Sequence, residues 1–447
     1  MLPRRQLLVT GLAAGAATQL PRMARAAPLR LRAMSFDGTI LPGTLTKGLM
    51  GYTNGPPPIL RLTQGQPAEI AVENALQEVT TVHWHGLRVP MDQDGVPYLT
   101  QFPIGVGETC SYRFTPQDAG TYWYHPHCNT FEQISRGMAG LLVVDEAEDP
   151  GFDADIPLLI RDFRLDDGGA FLPLSTPRNA ARGGTFGTVH TANWQVDGAT
   201  LAPAGGLVRL RLAVADVTRI YTLSVVGAAA MVIALDGHPL PTPLPQGQVR
   251  LAPGQRADIA LVMPDAGEVT LQMTLGGGKI HSLHRLIVEG TPLRRSLADL
   301  APLPPNPVIE PDLAKAQVID FTLGWTPEGG SGIDGPCGDT PYAFWSINRQ
   351  VWPGDSPDPG APIATLTLGQ SYIFRLRNET QNAHPVHLHG HAFRVLSGTG
   401  GFTDTVLLDA HSTAEVAFVA DNPGDWVLHC HVIEHQKTGL TAYIRVL

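Results

Sequence analysis

The sequence repeats itself at an offset of 304 residues, and the repeated positions carry paired histidines. The first third contains "LTQGQPAEIAVEN" followed by "HWHG", and the last third contains "LTLGQSYIFRLRN" followed by "HLHG". The same offset relates His125 to His429 and His127 to His431, so no net insertion separates these landmarks. This register indicates that the first and last thirds are one domain used twice.

Alternating apolar and polar residues predict β-strands throughout the chain. "AEIAVEN", "SYIFRLRN" and "AEVAFVA" have a period of two and are bounded by turn-forming residues. The middle third contains similar stretches, such as "VRLRLAV" and "RADIALVM", and the turn "APGQ", but no His-x-His pair. The 48 Gly and 39 Pro favour short strands and turns over long helices.

We therefore predict an all-β chain of three β-sandwich domains. Their expected limits are 27–150, 151–300 and 310–447, and the middle domain carries no metal ligands. The Pro-rich stretch "APLPPNPVIEPDL" is the predicted linker before the last domain.

Four His-x-His pairs predict a metal site between the two copies. The pairs are His83/His85, His125/His127, His387/His389 and His429/His431. Residues i and i+2 of a strand point to the same face, so each pair offers two adjacent imidazoles. Eight neutral imidazoles make a poor core because their ring nitrogens need partners. They suit copper, zinc, iron or nickel. A single pair is more often a surface feature, but four pairs at a constant offset favour a metal cage.

The last copy alone carries a second donor set. His384, Cys430 and His435 correspond to Thr80, Pro126 and Phe131 of the first copy. Two His and one Cys with a weak axial position form a blue-copper electron-transfer site. Cys430 lies between two cage histidines, so its side chain points to the opposite face of the strand. The backbone around Cys430 is then a short covalent path from one metal site to the other.

With "HWHG", "HPH", "HPVHLHGH" and "HCHVIEH" together, the chain resembles the three-domain multicopper oxidases, and the bacterial laccase-like group in particular. The resemblance implies cupredoxin-like (plastocyanin-like) Greek-key sandwich domains and four copper ions. It also implies the four-electron reduction of O2 to two waters, with electrons from a small reducing substrate. The trinuclear copper cluster would lie between the first and last domains.

The resemblance also implies a ligand set. The type 1 copper would take His384, Cys430 and His435, with Leu440 as an axial non-ligand; the type 2 copper would take His83 and His387; the type 3 pair would take His85, His125 and His431 on one ion and His127, His389 and His429 on the other.

Other residues near the predicted ligands affect the supply of protons to the cluster and the redox potential of the type 1 copper. Asp94 in "MDQDGVP" resembles the family's acid beside the cluster, and the alternative is a turn Asp before Gly95. Many bacterial relatives carry Glu directly after the last type 1 His, but this chain has Gln436, and Glu434 need not face the cluster. Leu440 offers no lone pair, so we expect a three-coordinate copper of raised potential; alternatively, it is a core residue and another side chain approaches the copper.

Cys110, Cys128 and Cys337 remain after Cys430. Export permits a disulfide, but three cysteines cannot all pair. Cys128 follows His127, and a bridge or a buried thiol is favoured over a copper ligand. His281 and His284 are interpreted as an exposed loop pair rather than a substrate or metal site.

The N-terminus resembles an export signal over residues 1–26. Arg4-Arg5 precedes an apolar stretch, and "ARA" fits a cleavage site. The twin-Arg pair favours the Tat route over an ordinary secretory signal, which predicts a periplasmic or secreted protein. No later segment is predicted to span a membrane. The net charge of −10 argues against nucleic acid and anionic membranes as partners.

The predicted activity is laccase-type oxidation of phenols or aromatic amines. A cuprous oxidase for copper tolerance is the alternative, although only nine Met are present and none cluster. A non-catalytic copper-binding or structural cupredoxin protein would not need the complete ligand set or Cys430.

Overall fold

The computed structural model describes residues 28–330, 337–338, 342–398 and 400–447. The predicted export signal at 1–26 lies outside these residues and stays a prediction. The described chain is nearly all β, which confirms the predicted fold class. No helix in this part of the chain has the length and apolar character needed to cross a bilayer.

The first third forms two four-stranded sheets that pack as a sandwich. Its elements are β1 (Leu29–Gly38), β2 (Thr46–Gly51), β3 (Ile59–Thr63), β4 (Ala68–Asn74), β5 (His83–His85), β6 (Thr109–Phe114), β7 (Gly120–His125), α1 (Thr130–Ser135) and β8 (Gly140–Asp145). The sheet orders are β2-β1-β4-β6 and β3-β8-β7-β5.

The middle third forms a six-stranded and a five-stranded sheet. Its elements are β9 (Ala154–Phe163), α2 (Pro177–Ala180), β10 (Val189–Ala192), β11 (Gly198–Pro203), β12 (Leu207–Val214), β13 (Tyr221–Val226), β14 (Ala230–Leu235), β15 (His238–Pro245), β16 (Val249–Leu251), β17 (Arg256–Val262), β18 (Glu268–Thr274) and β19 (Ile280–Glu289). The sheet orders are β10-β9-β12-β17-β14-β15 and β11-β19-β18-β13-β16.

The last third also forms a six-stranded and a five-stranded sheet. Its elements are β20 (Gln317–Gly330), β21 (Ala343–Ile347), β22 (Ala364–Leu366), β23 (Ser371–Asn378), β24 (His384–Leu388), β25 (Phe393–Val395), β26 (Phe402–Thr403), β27 (Thr405–Leu408), β28 (Thr413–Val419), β29 (Gly424–Cys430), α3 (Ile433–Lys437) and β30 (Thr441–Val446). The sheet orders are β21-β20-β23-β28-β25-β26 and β22-β30-β29-β24-β27.

Short 3₁₀ helices occur outside the last third, at Met91–Gln93, Gly276–Gly278 and Leu297–Asp299.

All three sandwiches share one strand topology. In the first, β1 pairs in parallel with β4 and β3 pairs in parallel with β8. The equivalent parallel pairs are β9 with β12 and β11 with β19 in the middle third, and β20 with β23 and β22 with β30 in the last third. The middle third is therefore a third copy of the same fold, which period-2 strands predicted without any histidine motif.

The structure agrees with one sequence interpretation, that Cys128 forms a bridge or a buried thiol, and corrects another. Cys128 and Cys337 form a disulfide, and Cys110 is a free, half-buried thiol. The interpretation of His281 and His284 as an exposed loop pair is wrong, because both lie on β19. His284 is buried and its Nε2 lies 2.9 Å from Thr200 Oγ1.

Buried charges join the first and middle domains. Arg209 on β12 binds Glu146 at 2.7 Å and Asp258 at 2.6 Å. Asp258 also accepts a hydrogen bond of 2.6 Å from Thr121 on β7. All four side chains are buried. Because water does not solvate the three charged groups, they are stabilised by one another.

Replacing Asp258 with Ala should destabilise the protein by about 3 kcal/mol, because the buried Arg209 would keep only Glu146 as a partner and the hydroxyl of Thr121 would lose its acceptor. The matched control is Asp320→Ala, since Asp320 pairs with Arg375 but its side chain is 69% exposed. That variant should change the free energy of unfolding by less than about 1 kcal/mol. Guanidinium chloride unfolding measures both, and equal effects would contradict the prediction.

Candidate metal centre

The strand register brings the His-x-His pairs together within each copy. His83 on β5 lies directly opposite His125 on β7. His387 on β24 lies directly opposite His429 on β29, at the same 304-residue offset. Side chains of directly opposed residues are near neighbours on one sheet face. Each copy therefore presents one cluster of imidazoles.

The two clusters meet face to face. The ring of His83 stacks on that of His389 with centroids 3.8 Å apart, and the ring of His85 stacks on that of His387 at the same distance. All eight rings of the predicted cage are at most 1% exposed. We call these eight residues the imidazole cage: His83, His85, His125, His127, His387, His389, His429 and His431.

Hydrogen bonds orient the cage rings. Four rings donate Nδ1–H to a backbone carbonyl 2.9 Å away: His83 to Asp94, His387 to Asp404, His125 to Pro126 and His429 to Cys430. In this tautomer Nε2 keeps its lone pair. The Nε2 atoms of His83, His125 and His387 are buried and have no hydrogen-bond partner among the described residues. A ring held at one nitrogen with the other free is the arrangement of a metal-binding histidine.

Ligand nitrogens converge in groups. Those of His127, His389 and His429 lie within 4.8 Å of one another, as do those of His83, His387 and His389 and those of His83, His85 and His125. His431 lies between the copies, with its ring centroid 4.8 Å from His85 and 5.3 Å from His125. Each predicted type 3 set is thus brought together from both domains.

Two aspartates flank the cage in a pseudo-symmetric arrangement. Asp94 accepts from His83 through its backbone carbonyl, and its carboxylate lies 2.9 Å from Nδ1 of His389. Asp404 accepts from His387 through its backbone carbonyl, and its carboxylate lies 3.3 Å from Nε2 of His85. Each aspartate therefore joins one ring of its own copy to one ring of the other.

Asp404 was not among the residues that the sequence singled out. Shifting Asp94 by 304 gives Gly398, six residues short of Asp404, so the repeat alignment hides the equivalence. The only sequence feature that could have indicated Asp404 is that it is an acidic residue in the connection after the His387/His389 pair.

The middle domain also contacts the cage, although it carries no cage histidine. Arg256 forms a two-point ion pair with Asp404, with N–O distances of 2.9 and 2.6 Å. Gly254, in the predicted "APGQ" turn, has φ +90°, and a Cβ there would lie 3.0 Å from His85 and 3.1 Å from His431. Only glycine allows the backbone this close to the rings.

The environment keeps seven of the cage rings uncharged. Burial, reinforced by neighbouring imidazoles, holds the pKa of seven rings below the ordinary value: His85, His125, His127, His387, His389, His429 and His431. Burial opposes ionisation of Asp404, but the charge of Arg256 and hydrogen bonds from His387 and His85 hold its pKa well below the usual range. Neutral imidazole is the form that binds a metal ion.

The predicted type 1 residues converge on the other side of β29. Nδ1 of His384 and Nδ1 of His435 are 3.0 Å apart, and Sγ of Cys430 lies 3.5 and 3.6 Å from them. We call His384, Cys430 and His435 the type 1 triad. All three residues are fully buried. Burial raises the pKa of the Cys430 thiol, so a bound cation is needed to make it a thiolate.

Other predicted residues take defined positions. Leu440 is buried in the same apolar cluster as Cys430, and its carbonyl accepts from the Cys430 N–H at 3.0 Å. Gln436 lies on the cage side, with Nε2 3.3 Å from Nε2 of His127. Glu434 instead bonds to Ser175 and to the N–H and hydroxyl of Thr185, in the middle domain.

The donor sets fit copper. Eight neutral imidazoles suit a borderline metal, and two imidazoles with one thiol match a blue-copper site. The orphaned ring nitrogens described above supply free lone pairs at the positions where ions would bind.

Comparisons with known proteins agree with this chemistry. Residues 39–149 and 337–447 each match a domain family described as multicopper oxidase. A multi-copper oxidase structure from Pseudomonas thermotolerans is similar at 40% identity with a TM-score of 0.83, over 94% of this chain and 99% of that one. Multicopper oxidase MmcO of Mycobacterium tuberculosis is 28% identical over 90% of this chain and 83% of its own length. Laccase-1 of Botryotinia fuckeliana is 25% identical over 91% of this chain and 79% of its own length.

Stability of the metal-free protein should fall steeply as the pH drops below about 6.5, the ordinary His value. The unfolded chain binds protons there, whereas the seven cage rings with lowered pKa do not until lower pH. Each ring therefore lowers the free energy of unfolding by up to about 1.4 kcal/mol per pH unit below about pH 6.5. Above that pH the rings cause no loss of stability. Unfolding midpoints between pH 7.5 and 5.5 measure this loss. A midpoint that does not change with pH would contradict it.

Proposed function

The chain belongs to the multicopper oxidase family, and on that premise we propose that it is a laccase-type enzyme acting on phenols or aromatic amines. Membership makes it a copper-binding oxidoreductase that uses O2 and a reducing substrate. One observation supports the proposal most strongly. The chain has both a complete imidazole cage and a thiol-containing triad, and the two lie on opposite faces of β29. A copper store would need no such second site.

We assign the copper positions as the sequence predicts. The type 1 triad holds one ion; His83 and His387 hold the type 2 ion; His85, His125 and His431, and His127, His389 and His429, hold the type 3 pair. Bound copper supplies the one-electron acceptor at the triad and the O2-reducing centre in the cage.

Cys430 connects the two sites through its own backbone. His429 precedes it and His431 follows it, and both rings belong to the cage. The N–H of Val432 lies 3.4 Å from Sγ and helps to hold the sulfur in place. One covalent segment thus carries the electron-entry ligand and two ligands of the oxygen site.

Asp94 is the better of the two aspartates for moving protons. Asp404 is held ionised by Arg256, so its proton affinity is low. The recorded contacts of Asp94, in the described part of the chain, are with histidines and not with an arginine. Its Oδ1 has no hydrogen-bond partner there. Gln436 occupies the place of a second acid and cannot donate a proton as one, so Asp94 carries the relay.

The surroundings of the type 1 triad favour an organic donor over Cu(I). Residues 175–185 of the middle domain, "STPRNAARGGT", lie over the triad, and we call them the cover segment. Its Arg182 carbonyl accepts from Nε2 of His435 at 2.6 Å. The cover segment contains no Met or Cys, the soft ligands that Cu(I) prefers. The cover segment therefore offers no soft ligand that would support the cuprous oxidase alternative.

Export by the Tat route to the periplasm or outside remains part of the proposal. It rests on Arg4-Arg5 and the apolar stretch after it.

An O2-uptake screen tests the function. Copper-loaded protein should absorb at about 600 nm and consume O2 with a phenol or an aromatic amine faster than with Cu(I). Cys430→Ser should lose that absorption and the O2 uptake while keeping the cage ions, as measured by copper content. A preference for Cu(I) over every aromatic donor would refute the laccase assignment.

Leu440→Met should lower the type 1 reduction potential, because a thioether adds a fourth donor that stabilises Cu(II). Leu440 is fully buried beside Cys430, and Leu and Met have similar volumes, so the fold should persist. Redox titration of the blue absorption measures the shift. An unchanged or raised potential would show that Leu440 is not the axial residue.

A further inference from the structure

The type 1 triad offers no surface to a substrate. His384 and His435 are both 0% exposed. Nε2 of His384 lies 2.8 Å from the Thr380 hydroxyl, and Nε2 of His435 donates to the Arg182 carbonyl of the cover segment. An electron must therefore cross at least one further group to reach the triad.

The cavity beside Glu434 does not provide that contact for a large donor. Its volume is about 230 Å³, and its described lining includes Glu434 and Tyr342 but neither triad histidine. Pockets for drug-sized ligands span about 300–1,000 Å³. A small phenol that entered it would still contact neither triad histidine.

Two stacked tryptophans lead from the triad to solvent. Trp345 is fully buried, with its ring centroid 4.6 Å from His435 and 5.1 Å from His384. Trp325 stacks on Trp345 with centroids 4.2 Å apart and planes inclined by 20°. Trp325 is 44% exposed, whereas the other six tryptophans are at most 7% exposed. The path from solvent to the triad thus consists of two indoles and one imidazole.

Strand pairing holds this path in place. Trp325 on β20 and Trp345 on β21 are directly opposed residues of an antiparallel pair. Nε1 of Trp345 donates to the Ala180 carbonyl of the cover segment at 2.8 Å, which holds the inner indole against the triad. Such cross-strand aromatic pairs keep a fixed stacking geometry.

We propose that Trp325 is a surface electron-entry site, at which a planar phenol stacks on the exposed indole and is oxidised through Trp345. The inference rests on the laccase-type function proposed above. The phenol gives up one electron, its O–H bond breaks, and the proton goes to solvent. The electron passes through Trp325 and Trp345 to the triad, where a bound copper ion would be the acceptor, and both indoles return to their starting state. Four such events supply the electrons that one O2 accepts.

The test is the anaerobic bleaching of the blue absorption by 2,6-dimethoxyphenol in stopped flow. Trp325→Leu removes the aromatic platform and should slow bleaching about tenfold, the scale of losing one aromatic stacking partner. Trp325→Phe should restore part of the rate. The control is Phe102→Leu, which removes a 79% exposed ring from the first domain and should leave the rate unchanged. Rates are expressed per blue copper, so a poorly loaded variant does not mimic the effect.

A second readout needs no turnover. In fully reduced, anaerobic enzyme the phenol cannot react, yet it should still quench the emission of the one well-exposed tryptophan. This quenching should disappear in Trp325→Phe. Bleaching that is equally fast in Trp325→Leu and wild type would overturn the inference and place electron entry elsewhere, such as at Arg182. Wild-type enzyme that no phenol bleaches would instead refute the laccase function itself.

Discussion

The structure depends on holding eight imidazoles in fixed orientations where water cannot reach them, seven of them with a pKa lowered by burial. Burial removes the protons, and backbone carbonyls or aspartates fix one nitrogen of most rings. Most of the remaining ring nitrogens have no hydrogen-bond partner among the described residues, which would be costly in a core that held no metal. Copper removes that cost by binding those lone pairs. Because each half of the cage comes from a different domain, metal binding and the contact between the two domains support each other.

The middle domain provides the charge balance that this cage requires. An isolated buried carboxylate beside neutral rings would take up a proton, but Arg256 keeps Asp404 ionised. Arg256 is itself buried and bonds to the Thr121 carbonyl of the first domain, so it holds all three domains at one point. Asp94 has no arginine among its contacts in the described part of the chain. The two aspartates thus have similar geometry but different charge environments, and this difference supports the proton role proposed for Asp94.

Much of the cage could be predicted from the sequence, because a constant offset and a period of two determine which strands carry the rings and which face they share. The opposed pairs His83/His125 and His387/His429 follow directly from that register. Asp404 could not be found this way, because it lies six residues after position 398, the position that the 304-residue offset assigns to Asp94. Gly254 and Arg256 were missed for another reason. Their role comes from packing between domains, and the middle domain carries no histidine motif that would draw attention to it.

The same packing separates copper binding from substrate access. The triad and the cage belong to the first and last domains, whereas the cover segment over the triad belongs to the middle one. A side-chain substitution in the cover segment changes the surroundings of His435 without replacing any proposed copper ligand. The Trp325–Trp345 pair lies on a strand pair of the last domain that holds no ligand either. Under the proposed function, donor choice is therefore set by residues that are not themselves copper ligands.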